Sequence, residues 1–372
     1  MNDLRDEDAK RSLGDTFRRL IKSTGPISLA HYMAESNARY YADKKAIGGP
    51  SSFGGGDFIT APEVSQMFGE LIGLWLADLW IRAGRTEPVH YVELGPGKGT
   101  LARDAQRAMK RYGLEPKIHL VETSRRMRDA QLASVPGAIH HHDLSRIPTE
   151  GPILLVANEF LDALPVRQLV KTDDGWREVM IGLGEDEQFV EVPGRQPMDS
   201  AVPEARRNDP PGTVIETSPA CASIMLEVAG RLVDQKGAAL FIDYGYRHGR
   251  SGSTVQAVSG HQSVGVFDAP GDVDISAHVD FAQMEQVARS REARVLGTVT
   301  QGEWLRALGI RERADALAEH SPQHREALMR ARDRLIDADQ MGDLFKVMGL
   351  VAPHWPEGAG FPNYHADRPT TG

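Results

Sequence analysis

The run His90-Tyr91-Val92-Glu93-Leu94-Gly95-Pro96-Gly97-Lys98-Gly99-Thr100-Leu101-Ala102 has residue types and spacing that can hold a ligand. A short apolar stretch carries an acid, three glycines follow at every second position, and a helix-forming segment begins. That order predicts strand, tight turn, helix. Glycine is needed where the backbone takes positive φ or comes very close to a ligand. A helix starting there aims its free N–H groups at the same spot. Gly95, Gly97 and Gly99 are thus candidate cradle residues, with Glu93 just upstream. The spacing is G-x-G-x-G, whereas the dinucleotide fingerprint is G-x-G-x-x-G. On this motif alone, an ordinary glycine turn and a dinucleotide site both stay open.

The elements that must position this turn alternate along the chain. Strands are expected at Val89–Leu94, Lys117–Val121, Ala138–His142, Ile153–Ala157 and Ala238–Ile242, with helices between them, as at Thr100–Tyr112. Such alternation, with apolar and β-branched strands, implies a parallel sheet covered on both faces. Ligands on these sheets bind beyond the carboxyl ends of the strands, where the strand order reverses. Four strands in series end in an acid or an asparagine: Glu93, Glu122, Asp143 and the pair Asn158-Glu159. One such residue is commonly a cap; four in series point to a site. Glu122 lies 23 residues beyond Gly99, where a carboxylate can accept two ribose hydroxyls. His140-His141-His142 read as exposed strand-end histidines, because neighbours on a strand point to opposite faces and cannot converge on a metal. No metal is expected.

Ahead of the sheet, Leu13–Ile21 and Ile27–Tyr41 read as helices separated by Gly25-Pro26, with Ser28 as a cap. Residues 47–59 contain five glycines and forbid regular structure. Thr60 and Glu63 then have capping-box spacing with Pro62 in the first turn, and apolar residues recur at helical spacing to about Ala83. A flexible loop anchored on a rigid helix is how a lid is built. After the fourth strand, 169–181 reads as a β-hairpin, 188–192 as a third strand and 193–211 as surface loop. Segment 249–271 gives no clear pattern. Ser218-Pro219 and Asp280 start helices, and 344–351 is the closing strand. The division expected is 1–88 (helices and lid), 89–351 (the sheet domain, with a β insertion at about 165–212) and 352–372 (tail).

At 372 residues the chain is long enough for a sizeable core. Its formal net charge of −9 disfavours nucleic acid, whose phosphates demand clustered Lys and Arg. The single cysteine, Cys221, excludes an intrachain disulfide and fits a reducing compartment. The charged start at 1–8 does not read as a secretory signal. The most apolar stretch, 71–81, is short and contains Asp78, so no membrane insertion is expected.

Three further stretches join the glycine turn: Gly56-Asp57-Phe58-Ile59-Thr60-Ala61-Pro62-Glu63-Val64-Ser65-Gln66, Ala157-Asn158-Glu159-Phe160-Leu161-Asp162-Ala163-Leu164-Pro165-Val166, and Gly342-Asp343-Leu344-Phe345-Lys346-Val347-Met348. Together with 92–99 they resemble the MidA-type family of S-adenosylmethionine-dependent methyltransferases. The resemblance covers about 27–350, and its combination of motifs is far more specific than any one part.

The resemblance implies an α/β, Rossmann-like class I methyltransferase sheet, mostly parallel, with helices on both faces. A helical lid region would precede the sheet, and a small β insertion would follow strand four. It implies S-adenosyl-L-methionine as cofactor and symmetric dimethylation of an arginine. The substrate of mitochondrial members is a quinone-site subunit of respiratory complex I. For this chain the expectation is a bacterial cytoplasmic enzyme with a protein substrate, and a homodimer is compatible with it. Carried onto these positions, Gly95, Gly97 and Gly99 form the cofactor turn, Glu122 holds the ribose, and Asp143 lies near the adenine. Glu93, Thr60 and Glu63 complete the cofactor set. Asn158 and Glu159 lie at the methyl-transfer point, with Asp162 as a second carboxylate. The better-known arginine methyltransferases carry two glutamates after strand four; here the second acid is Asp162, three residues beyond Glu159. A carboxylate pair can grip a guanidinium bidentately and leave one nitrogen aimed at the methyl group.

Overall fold

The computed structural model describes residues 12–43, 60–260 and 262–362. The charged start and the glycine-rich stretch expected to act as a lid, 47–59, lie outside the described residues. In chain order the elements are α1 (Leu13–Thr24), β1 (Ile27–Ser28), α2 (Leu29–Asp43), α3 (Ala61–Val64) and α4 (Gln66–Arg82). Then come β2 (His90–Leu94), α5 (Thr100–Lys110), β3 (Lys117–Val121), α6 (Arg125–Ser134), β4 (Ile139–His141) and β5 (Ile153–Asn158). The middle of the chain gives β6 (Arg167–Thr172), β7 (Gly175–Leu183), β8 (Phe189–Pro197), β9 (Val214–Thr217), α7 (Pro219–Gln235) and β10 (Gly237–Tyr246). The short strands β11 (Gln256–Ser259), β12 (Gln262–Val264), β13 (Asp274–Ser276) and β14 (Val279–Asp280) follow. The chain closes with α8 (Phe281–Ser290), β15 (Arg294–Thr300), α9 (Gln301–Ala307), α10 (Ile310–His320), α11 (Arg325–Ile336), α12 (Met341–Leu344) and β16 (Phe345–Val351).

The chain divides into two units, both discontinuous in sequence: Met1–Lys44 with Asp162–Cys221 and Gly249–His278, and Lys45–Leu161 with Ala222–His248 and Val279–Gly372. This differs from the expected three-part division. The first two helices belong with the β insertion, because β1 pairs with β7 and Phe17, Tyr32 and Phe189 share one core. Helix α4 belongs with the large sheet.

In the sheet unit the strand order is β4-β3-β2-β5-β10-β16-β15, and β14 adds to the end of β10. The first five pair in parallel. The closing strand β16 inserts between β10 and β15, antiparallel to both. The order reverses between β2 and β5, so the crevice beyond Leu94 and Asn158 is the switch point. Helix α4 is one of the main supports. Gly73 lets it lie directly on α5, since a Cβ there would sit 2.4 Å from the Ala105 carbonyl oxygen. Its buried Glu70 accepts from Arg107 and Arg313 at 3.0 and 2.7 Å. Burial disfavours the Glu70 charge, but those two guanidinium partners hold its carboxyl below the usual range.

Two details of the start of α4 correct the sequence reading. The expected single helix breaks at Ser65, whose backbone is extended, into α3 and α4. Thr60 makes no side-chain cap; Ser65 caps instead, accepting from the Met67 N–H at 3.2 Å. Helix α4 is also apolar nearly all round rather than on one face, because neighbours enclose it.

In the other unit, β1-β7-β6-β9 with β8 on β7 form an antiparallel five-stranded sheet, and β12-β11-β13 a smaller one. Asn37 ties this unit together. Its amide donates to the carbonyls of Ala163 and Ile275 and accepts from the Ile275 N–H. The stretch 193–211, expected as surface loop, continues β8 to Pro197 and then forms two 3-10 turns. Segment 249–271 supplies β11 and β12. Ser28, Ser218 and Asp280 cap as expected. Among the described residues no helix is long and apolar enough to cross a membrane.

Candidate functional site

At the carboxyl end of β2 the three glycines take φ of 61°, 52° and 77°, all in the left-handed region. Each position serves a different end. A Cβ on Gly95 would lie 2.8 Å from the ring of Phe160, so Gly95 permits close packing of the turn on the end of β5. A Cβ on Gly97 would meet nothing within 4 Å, so this residue faces an open cradle. Gly99 is the N-cap of α5 and has no side chain between the helix N-terminus and the cradle.

Glu122 follows β3. One of its carboxylate oxygens accepts from the Ser124 N–H at 2.7 Å and the other from Gln131 at 3.2 Å. Gln131 is fully buried and also donates to the carbonyl of Gly97 at 2.7 Å. Its own oxygen lies 2.9 Å from His140 Nε2. One amide therefore fixes the glycine turn and Glu122 relative to each other. Sequence reasoning missed Gln131; its signal was a polar residue four positions after buried Met127, on the apolar stripe of α6.

Asp143, after β4, is exposed, and one of its oxygens accepts both the N–H and the hydroxyl of Ser145. Those hydrogen bonds hold its carboxyl below the usual range. Glu93, expected as part of the cofactor set, lies near the end of β2. It is 3% exposed within β2 and accepts from the Tyr91 hydroxyl at 2.6 Å. Burial pushes its carboxyl up to about 8.

The histidines depart from the sequence reading. His142 is exposed, but His140 and His141 are half-buried. His90, His119 and His141 form a diagonal ladder across β2, β3 and β4, with nitrogens 2.9 Å apart at each step. His90 Nε2 lies 2.9 Å from the Glu150 carbonyl, which can only accept. That fixes every tautomer: His119 donates to His90, and His141 donates to His119. Burial, then the neighbouring rings, depress His119 to about 4. Among the described residues no cluster of three or more His, Cys, Asp or Glu side chains could hold a metal ion.

Beyond β5, Glu159 has φ of 51°, a conformation that a side chain makes costly. Its carboxyl accepts from the Ala61 N–H and from Asn158 Nδ2, both at 3.1 Å. Burial pushes it up to about 8; the two donors pull down, and the charges of Asp243 and Glu63 push up. Asn158 Oδ1 is buried without a hydrogen-bond partner. The first turn of α3 therefore meets the end of β5. Glu63 pairs with Lys98 of the glycine turn at 3.1 Å. Asp162 begins the next segment in the other unit, where its carbonyl accepts from the Ala277 N–H at 2.9 Å.

The switch point thus gathers an open glycine cradle, a fixed carboxylate after β3, an unpartnered buried amide oxygen and a raised carboxyl after β5. A nucleoside carrying an amino acid fits those features: hydroxyls for Glu122, backbone for the glycines, and an ammonium for the Asn158 oxygen.

Known proteins agree. Residues 71–299 match a family described as "Putative S-adenosyl-L-methionine-dependent methyltransferase". Protein arginine methyltransferase NDUFAF7, mitochondrial, of Xenopus tropicalis is 34% identical, covering 89% of this chain and 84% of its own. The human protein of that name is 33% identical, covering 90% and 82%. A Burkholderia thailandensis protein in a crystal structure with bound S-adenosyl-homocysteine superposes with a TM-score of 0.81 at 27% identity, covering 95% of both chains. Sheet order, cradle and likeness converge: the chain belongs to the MidA-type family of S-adenosyl-L-methionine-dependent methyltransferases.

Proposed function

We propose that this methyltransferase acts on arginine in a protein, with Glu159 gripping the guanidinium. The observation that carries the reading is the Glu159 carboxyl, fixed at the switch point by Ala61 and Asn158 in a left-handed backbone conformation. The names of the curated relatives support it. Gly95, Gly97 and Gly99 would hold the amino-acid part of the cofactor, Asn158 Oδ1 its ammonium, Glu122 the ribose hydroxyls and Asp143 the adenine side. Thr60 and Glu63 would close the cradle at the foot of α3, with Glu63 steering Lys98. Glu93 acts from behind the turn through Tyr91. When bound, the cofactor supplies a methyl group already activated on a sulfonium.

A guanidinium holds its proton up to a pH above about 12, so full deprotonation is not the route to a nucleophile. The protein's work is positioning and charge. Glu159 keeps its proton at neutral pH while the site is empty, because its pKa is about 8. The arriving cation favours the carboxylate, and the proton leaves to solvent. The carboxylate then holds two guanidinium nitrogens and leaves the third nitrogen free to react. After transfer the methylated nitrogen sheds one proton to solvent. Asp162 is the second carboxylate of this proposal, three residues further along the chain. The finer reading, from the family resemblance, is symmetric dimethylation of a quinone-site subunit of respiratory complex I.

The test is transfer of labelled methyl from S-adenosylmethionine to a lysate of the source organism, read by mass spectrometry beside Gly97→Val and Glu159→Gln. Dimethyl-arginine on a protein band, lost in both variants, is expected. Cofactor binding with no labelled protein would replace this reading by a small-molecule methyltransferase or a cofactor-binding assembly factor.

A further inference from the structure

We propose that Asp243, at the end of the central strand β10, is a positioning residue that holds the Glu159 turn in its reactive shape. The inference rests on the reading of Glu159 given above.

Asp243 is 1% exposed. One of its oxygens accepts from the N–H groups of both Phe160 and Leu161, at 3.1 and 2.8 Å. The other accepts from the Tyr244 N–H at 2.9 Å. The preceding residue, Ile242, accepts from the Glu159 N–H at 2.9 Å. So β10 grips three consecutive amides at 159–161, where the backbone is least comfortable. No helix starts at 160 or 161, so these hydrogen bonds do not cap one.

The geometry gives the grip a purpose. A residue at φ of 51° would relax to an ordinary conformation unless its surroundings over-determine it. Glycine would remove the strain but would also remove the carboxyl. Holding the neighbouring amides keeps both the turn and the side chain. The same grip reaches the cofactor side, because the ring of Phe160 lies against Gly95. Asp243 therefore sets the distance between the carboxyl that receives the substrate and the turn that receives the methyl donor. Its negative charge has a second effect. With Glu63 it raises the proton affinity of Glu159, against the pull of the Ala61 and Asn158 donors; Lys98 is paired to Glu63.

The test uses the full chain and compares wild type, Glu159→Gln, Asp243→Asn and Asp243→Glu. S-adenosylmethionine binding is measured by calorimetry, and initial methyl transfer from labelled cofactor to source-organism lysate is measured at saturation. The Glu159 carboxyl is followed by carbon-13 NMR titration, assigned by its absence in Glu159→Gln. For Asp243→Asn we expect cofactor affinity within about threefold of wild type and transfer slowed at least about tenfold. Its Glu159 midpoint should fall below that of wild type. Asp243→Glu, which keeps the charge but displaces the acceptor, should slow transfer without lowering the midpoint. Normal transfer in both variants, or loss of transfer only in step with cofactor binding and melting temperature, overturns the proposal. If Asp243→Asn binds no cofactor, Asp243→Glu decides by the same readouts. Unchanged transfer in Glu159→Gln would instead overturn the reading of Glu159 itself.

Discussion

Two neighbouring turns of the large sheet solve one steric problem in opposite ways. After β2 the chain needs three left-handed residues, and all three are glycine. After β5 it needs one, and that one is Glu159. On the proposed reading the first turn offers backbone to its ligand, so side chains are dispensable and glycine takes the conformation without strain. On the same reading the second turn needs its side chain, so the strain stays and must be met from elsewhere. Asp243 and Ile242 meet it by accepting the amides of 159–161. The glycine turn can be specified by local sequence; the Glu159 turn depends on a distant strand.

The largest expected effect separates the two turns directly. Glu159→Gln should keep cofactor binding within about threefold and reduce transfer by about 10²-fold or more. In the wild type, kcat/KM should rise with pH and level off above about 8, as free Glu159 ionises. A profile flat from pH 6 to 9 would break the comparison.

Acid should then weaken the cofactor side through the histidine ladder. His119 sits near 4 in the folded chain against 6.5 for an ordinary histidine. The unfolded chain thus binds more protons between those values. The stability that neutral His119 contributes is complete above pH 6.5 and is lost as pH falls towards 4, about 3 kcal/mol in all. Glu93 and Glu159 carry the opposite sign: both are raised from 4.5 to about 8, so they weaken the fold as pH rises through that range. Denaturant melts of wild type and His119→Gln from pH 4 to 9 would show whether the acid limb belongs to the ladder.

Glu122→Gln tests the cofactor side by affinity. Loss of a charge-assisted pair costs about 1.5–3 kcal/mol, so calorimetry should show S-adenosylmethionine binding weakened roughly ten- to a hundredfold. Gly95→Ala should weaken it about tenfold, from left-handed strain of about 1–2 kcal/mol and the contact with Phe160. Equal affinity in that variant would mean that the two turns are not packed as described. The smallest effect is expected at Glu93. It is protonated at pH 7, so Glu93→Gln should leave cofactor affinity within about threefold. A loss as large as that of Glu122→Gln would show that Glu93 touches the cofactor.

Much of the sheet was legible because its signals are local. Apolar β-branched runs ending in Glu122, Asp143 and Asn158 mark strands that differ by only a residue or two from the observed ones. Glycines at 95, 97 and 99 announce a turn whatever surrounds them, since the constraint lies in φ alone. The helix from 60 to 83 was legible as a helix but not in its details. Its break at Ser65 and its burial on every side depend on what packs around it.

The amino-acid sequence by itself determined the strand–turn–helix at 90–110, the series of strand-end acids, the late closing strand and, through its motifs in combination, the family. What only the tertiary structure decided is which polar groups meet. Gln131 joins Gly97 to Glu122 across 34 positions at one end and 9 at the other. The ladder from His90 to His141 spans three strands, and Asp243 reaches Phe160 over 83 positions. It also decided that Glu93 turns inward to Tyr91, and that the first two helices join the β insertion. The physical reason is common to all of these. Backbone conformation is chosen largely by near neighbours, whereas the partner and proton affinity of a buried polar side chain depend on distant groups brought beside it.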